Sequence, residues 1–145
     1  MASLLENRAL LAALLAWALA QISKTLIEVV TQRRLNLRRL VSAGGMPSAH
    51  SALVMGLATA VGRLAGLSSI SFAISIVLAG VVMYDAAGVR RAVSIQARML
   101  NQMLEEAFKG HPIGEQRLRE LIGHTPVQVL VGGLLGIAIG LLVTA

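Results

Sequence analysis

The chain has 145 residues, 56% hydrophobic and only 14% charged, with a formal net charge of +6 and a mean hydropathy of +0.75. Such figures exclude intrinsic disorder and argue against an ordinary soluble domain, where charged residues make up nearer a quarter. They fit a single domain over residues 1–145; only four aromatic residues speak against a base-stacking nucleic-acid reader, and the lack of cysteine removes disulfides, thiolate metal sites and thiol nucleophiles.

A membrane-spanning helix takes about 20 mostly apolar residues, and four segments approach that: 9–30, 47–64, 67–89 and 126–144. Near the first, Arg8, a short apolar run and Ala18-Leu19-Ala20 resemble a secretory signal and its cleavage site. The apolar pattern continues past Lys24 through Leu26, Ile27, Val29 and Val30, so the expectation is a retained first span. Between the third and fourth spans lies a charged segment, 90–125. Val93, Ala97, Leu100, Leu104 and Phe108, joined by Met103 and Ala107, follow helical spacing there, while Arg91, Arg98, Glu105, Glu106 and Lys109 mostly take the other side. This reads as an amphipathic helix on the membrane surface or against the bundle. The expected fold is therefore all-α, an integral membrane bundle of about four transmembrane helices and one amphipathic helix.

Basic residues set the expected orientation. Arg33, Arg34, Arg38 and Arg39 fall between spans one and two, and Arg90, Arg91, Arg98, Lys109, Arg117 and Arg119 between three and four. An excess of Lys and Arg marks the cytoplasmic side of the cell membrane, leaving both termini and the turn near Arg63 outside. Gly56, Gly62, Gly80, Gly132, Gly133, Gly136 and Gly140 would allow close helix approach. A homodimer through such faces, or through the 90–109 helix, is compatible with the pattern.

With this topology, polar residues remote in sequence gather at one depth. Lys24 and Glu28 lie toward the end of span one, and Ser48, His50 and Ser51 open span two. Tyr84 and Asp85 are near the end of span three, while His124 and Thr125 precede span four. Ionisable groups at membrane depth are costly and tend to mark function. Both histidines stand beside proline in helix-start contexts, Gly44-Gly45-Met46-Pro47-Ser48-Ala49-His50 and Gly123-His124-Thr125-Pro126, with Thr125 as the expected N-cap. Helix N-termini suit an anion such as phosphate. Two imidazoles beside an anion site can divide labour, one attacking phosphorus and one protonating the leaving oxygen. Other readings stand beside this one: an ion pair for Lys24 and Glu28, and a structural partner of Lys24, Arg90 or Arg91 for Asp85. Ser51 reads as a helix-end hydrogen bonder, the loop arginines as topology and anionic-lipid contacts, and His111 as incidental.

Met46-Pro47-Ser48-Ala49-His50-Ser51 resembles the Pro-Ser-Gly-His motif of the type 2 phosphatidic acid phosphatase and vanadium haloperoxidase superfamily. His124-Thr125-Pro126-Val127-Gln128-Val129-Leu130-Val131-Gly132 resembles its closing segment, His-x-Pro-x-Asp-Val-x-x-Gly. Together with Met83-Tyr84-Asp85-Ala86 and Gly88-Val89-Arg90, these phrases are similar to the superfamily's divergent short membrane branch, over about residues 23–136. The resemblance implies His124 as the nucleophile forming a phosphohistidine, and His50 as general acid for the leaving alcohol. It implies phosphate binding by Lys24, Ser48 and the backbone at Ala49, with an arginine drawn from Arg38, Arg39, Arg90 and Arg91. It implies no metal or other cofactor, and inhibition by vanadate. The chain departs from the motifs at Ala49 for Gly, at Leu118 for Arg, and at Gln128 for the carboxylate that orients the nucleophile, with Asp85 as a candidate substitute.

The function expected is metal-independent hydrolysis of a phosphate monoester or pyrophosphate on an amphiphilic substrate by a membrane-bound phosphatase. The partners expected are membrane lipid and that phosphorylated substrate, with no nucleic acid. One rival is a non-catalytic membrane protein that binds phospholipid or scaffolds a partner, which Gln128 and Leu118 favour. Another is anion or head-group transport, for which four short spans leave little room.

Overall fold

The computed structural model describes residues 6–32, 45–107 and 124–145. The described residues hold five helices and no strand: α1 (Arg8–Gln32), α2 (Ala49–Ala65), α3 (Ile70–Ala87), α4 (Val89–Ala107) and α5 (Pro126–Val143). Arg33, Arg34, Arg38 and Arg39 lie outside the described residues, as do Phe108, Lys109, His111, Arg117, Leu118 and Arg119.

Local chemistry sets where the helices begin. The first amides of a helix have no partner within it and need a side-chain acceptor. Asn7 Oδ1 accepts from the Leu10 amide at 3.0 Å, ahead of α1. Ser48 caps α2 through the Ser51 amide, and Ser69 caps α3 through the Phe72 amide at 3.1 Å. Thr125 opens α5 with a full capping box, followed by Pro126 in the first turn. The second and third spans expected at 47–64 and 67–89 therefore start later, because Ser48 and Ser69 serve as caps and the residues before them turn. At the other end of α3 the helical bonding does not stop. The Gly88 amide donates to the Tyr84 carbonyl at 2.9 Å, and the Gly88 carbonyl accepts from the Ala92 amide at 3.0 Å, so α4 follows α3 directly. The amphipathic helix expected from the apolar spacing is this α4, and among the described residues it packs on α3 alone.

α2 is the central helix, flanked by α1, α3 and α5, while α1 also packs on α5. Residue contacts give the directions. Gly56 on α2 faces Ala12 and Ala16 on α1, and Gly45 faces Lys24, so α1 and α2 are antiparallel. Gly132, Gly136 and Gly140 on α5 meet Ser48, Ala52 and Gly56 in that order, so α5 runs parallel to α2. Phe72 meets Gly62, and Met83 meets Gly133, so α3 is antiparallel to both.

The interior is made of small residues. Ala12, Ala16 and Ala20 on α1, and Ala52, Gly56 and Ala60 on α2, recur every four residues, as do the three α5 glycines, and all are buried. A β-carbon at Gly136 would run into the Ala52 carbonyl oxygen, so the backbones of α2 and α5 are in direct contact. The bulky apolar side chains point outward instead: Trp17 and Leu26 on α1, Ile74 and Val77 on α3, Leu130 and Leu134 on α5. Water would penalise that arrangement heavily; hydrocarbon does not. α1, α3 and α5 are each long and apolar enough to cross a bilayer, and α2 is a shorter apolar helix held among them. The protein is an all-helical membrane bundle.

Candidate functional site

One end of the bundle collects the chemistry-bearing residues. It is formed by the start of α2, the start of α5 and the last third of α1. The Ser48 amide donates to the Gln128 carbonyl at 3.1 Å, joining the two helix starts. Ser48 is 0% exposed, and its backbone lies where a β-carbon on residue 132 would stand. Only glycine at 132 permits that approach. His50, in the first turn of α2, and His124, just before α5, therefore flank a single backbone junction between two parallel helices.

Lys24 reaches this junction from α1. It continues the buried stripe of Ala12, Ala16 and Ala20, four residues on from Ala20, and is 7% exposed. Its aliphatic stem crosses the turn before α2: a β-carbon on Gly45 would stand 2.9 Å from Lys24 Cδ. Gly45 has φ +86°, in the left-handed region open to glycine, so backbone conformation and close contact both require glycine here. The Met46–Pro47 bond in the same turn is cis. In the sequence Gly44 and Gly45 stand only ahead of a helix start; that Gly45 seats a lysine from another helix depends on tertiary contact.

His124 is 4% exposed, and Nδ1 lies 3.3 Å from Gln128 Oε1. The same Oε1 accepts the Thr125 amide at 3.0 Å, while Thr125 Oγ1 accepts the Gln128 amide at 3.4 Å. Those bonds fix the chemistry of the ring. An atom that accepts a backbone N–H is the amide oxygen, so the facing Nδ1 carries the ring proton. In the neutral ring Nε2 is then the nitrogen with the lone pair. Gln128 thus performs in one stroke the third position of a capping box and the orientation of an imidazole, with its oxygen doing both.

Ser48 has a different set of partners. Its Oγ accepts from the Ser51 amide at 3.4 Å and from the Ser51 hydroxyl at 3.0 Å. Ser51, expected as a helix-end hydrogen bonder, has that place. The Ser48 backbone joins α2 to α5 while its side chain caps α2, and Ala49, also buried, begins the helix next to it. His50 is on the exposed side of that turn.

Asp85 lies in the last turn of α3, half-buried, beside the exposed Tyr84. Met83, two residues earlier, packs on Gly133. From Gly133 back to Pro126, and from Met83 on to Arg90, is seven residues each, about 10 Å of helix. Arg90 and Arg91, in the first turn of α4, therefore come near the level of the α5 start. Arg38 and Arg39 lie outside the described residues. Among the described residues, no group of three His, Asp or Glu side chains is placed to hold a metal ion.

Residues 5–139 match a family described as the Divergent PAP2 family. The chain is 40% identical over 149 residues to YuiD, an uncharacterized membrane protein of Bacillus subtilis, covering 95% of this chain and 94% of that one. No solved structure matches it.

Proposed function

The chain belongs to the Divergent PAP2 family, and from that premise we propose that it is a membrane-bound, metal-independent phosphatase. Its substrate is an amphiphile carrying a phosphate monoester or pyrophosphate, such as a lipid phosphate. The observation that carries the reading is the buried imidazole of His124, held with its proton on Nδ1 by Gln128 at the start of α5.

In the proposed reaction, Nε2 of His124 attacks phosphorus as the bond to the leaving alcohol breaks. His50 gives that oxygen a proton, yielding the alcohol and a phosphohistidine. Water, losing a proton to His50, then displaces His124 and releases inorganic phosphate. Lys24 supplies positive charge to the phosphoryl oxygens, assisted by first-turn amides of α2 around Ala49 and by one arginine of Arg38, Arg39, Arg90 and Arg91. Ser48 contributes by holding the α2 start against α5. Gln128 orients the ring as a carboxylate would, without an anion to stabilise the imidazolium. Asp85 supports the site from α3. The site faces the cytoplasm, so a lipid of that leaflet reaches it from the side.

Phosphate release from a panel of lipid phosphates, without divalent metal, tests the reading. Turnover is expected for the wild type, with inhibition by vanadate and a phosphohistidine trapped on acid-free quenching. Unchanged turnover in His124→Ala would refute the nucleophile. Gln128 in the carboxylate's place favours one second reading, a non-catalytic phospholipid-binding or scaffolding membrane protein. Lipid binding with no trapped phosphohistidine is its signature.

A further inference from the structure

The bundle contains a cavity far from the histidines. It opens between α2, α3 and α5, with a volume of about 470 Å³. Ala58, Phe72, Ile76, Ile137 and Leu141 line it, together with the exposed Arg63. Arg63 lies fifteen residues along α2 from Ser48, about 22 Å of helix. The cavity exists because α3 and α5 touch at Met83 and Gly133 and then separate toward the α2–α3 turn.

Three properties narrow the occupant. The walls are hydrocarbon, so water has too few polar partners to fill the space. An empty space of that size would forfeit dispersion contacts along every wall, so in a bilayer it takes up apolar chain. Among the described residues Arg63 is the one charged side chain lining it; its Nη2 donates to the Thr144 carbonyl at 3.5 Å, a long bond to the C-terminal end of α5. A guanidinium has a planar fork of donors suited to a phosphate. An apolar slot with one cation in its described lining is complementary to an amphiphile with an anionic head.

We propose that this cavity is a binding site for an anionic glycerophospholipid of the leaflet opposite the histidines, one acyl chain between α3 and α5 and the phosphate on Arg63. The lipid braces the separated ends of those helices. It is a ligand and not a substrate, and the site does not rest on the phosphatase reading.

The test uses the full chain, stripped of lipid in detergent and titrated with phosphatidylglycerol or phosphatidylcholine while bound lipid is counted by native mass spectrometry. Wild type is expected to hold one phosphatidylglycerol about fivefold to tenfold more tightly than phosphatidylcholine, the scale of one charged contact. Arg63→Gln removes that preference, and Arg63→Lys restores part of it. Ile137→Trp, which fills the slot, weakens both lipids. Lys24→Gln, at the other end, leaves the preference intact, and Arg63→Gln leaves phosphate release intact. Equal binding of the two lipids by wild type overturns the proposal, as does an unchanged preference in Arg63→Gln. A preference lost with Lys24→Gln instead assigns the lipid to the histidine end. A dimer that Ile137→Trp disrupts without altering lipid binding assigns the cavity to a second copy of the chain.

Discussion

The two ends of this bundle use the same helices and solve opposite problems. At the histidine end, α2 and α5 meet backbone to backbone through Gly132, and the junction buries Lys24, Ser48, Ser51 and His124. At the other end α3 and α5 separate, and bulky side chains border a cavity with one arginine in its described lining. The difference follows from residue size. Small residues let main chains approach until polar groups of different helices satisfy one another, which hydrocarbon demands. Large ones hold the helices apart and leave volume that only another apolar molecule can fill. Precision is therefore concentrated where glycine and alanine are.

Substitutions can break that contrast, beginning with the largest effect. His124→Ala is expected to reduce phosphate release by about 10³-fold or more while leaving the bundle folded, since it removes the proposed nucleophile while the Thr125–Gln128 capping box of α5 stays in place. Steady-state turnover alongside circular dichroism checks this. Gly136→Leu attacks the seam that both ends share. Its side chain has no space against Ala52 and Gly56, so a loss of about 3 kcal/mol is expected, read as a lowered unfolding midpoint in detergent.

Smaller changes sharpen the contrast. Gln128→Leu removes the acceptor of the His124 ring and of the Thr125 amide together. Turnover should drop by about 10- to 100-fold, by analogy with loss of other orienting partners of a functional histidine, with a modest loss of stability. Gln128→Glu keeps an oxygen at that position and should recover most of the turnover. If Gln128→Leu turns over like wild type, orientation of the ring is not what this residue supplies. Ser69→Ala, at the far end, removes a helix cap and the hydroxyl's bond to the Gly66 carbonyl in the same turn. It should cost about 1 kcal/mol in unfolding and nothing in turnover. A loss of activity there would mean that the ends are coupled.

Much of the histidine end was legible from the sequence, and the reasons are local. Thr125 before Pro126, and Gln128 three residues later, spell a capping box wherever they occur. The start of α2 is two residues later than the expected 47, because Ser48 and not Pro47 opens it, as the N-cap. Lys24 stands out in the sequence as costly at membrane depth; that it continues the buried stripe of Ala12, Ala16 and Ala20 is a finding of the structure. What could not be read was division of labour. Ser48, expected at the phosphate, also caps α2 by accepting from the Ser51 amide and hydroxyl, and its own amide donates to the Gln128 carbonyl. Gln128, a departure from the motif, accepts from both neighbours through one oxygen.

The sequence by itself determined that the chain is a helical membrane protein and, to within a few residues, where its apolar helices fall. Hydropathy over about 20 residues and capping within three or four are properties of short stretches of chain. The tertiary structure alone decided that α2 lies at the centre, that Gly45 seats Lys24, and that α3 and α5 part to leave a cavity. Each of these depends on which small residues of separate helices come into register, and packing among distant segments has no signature in any one of them.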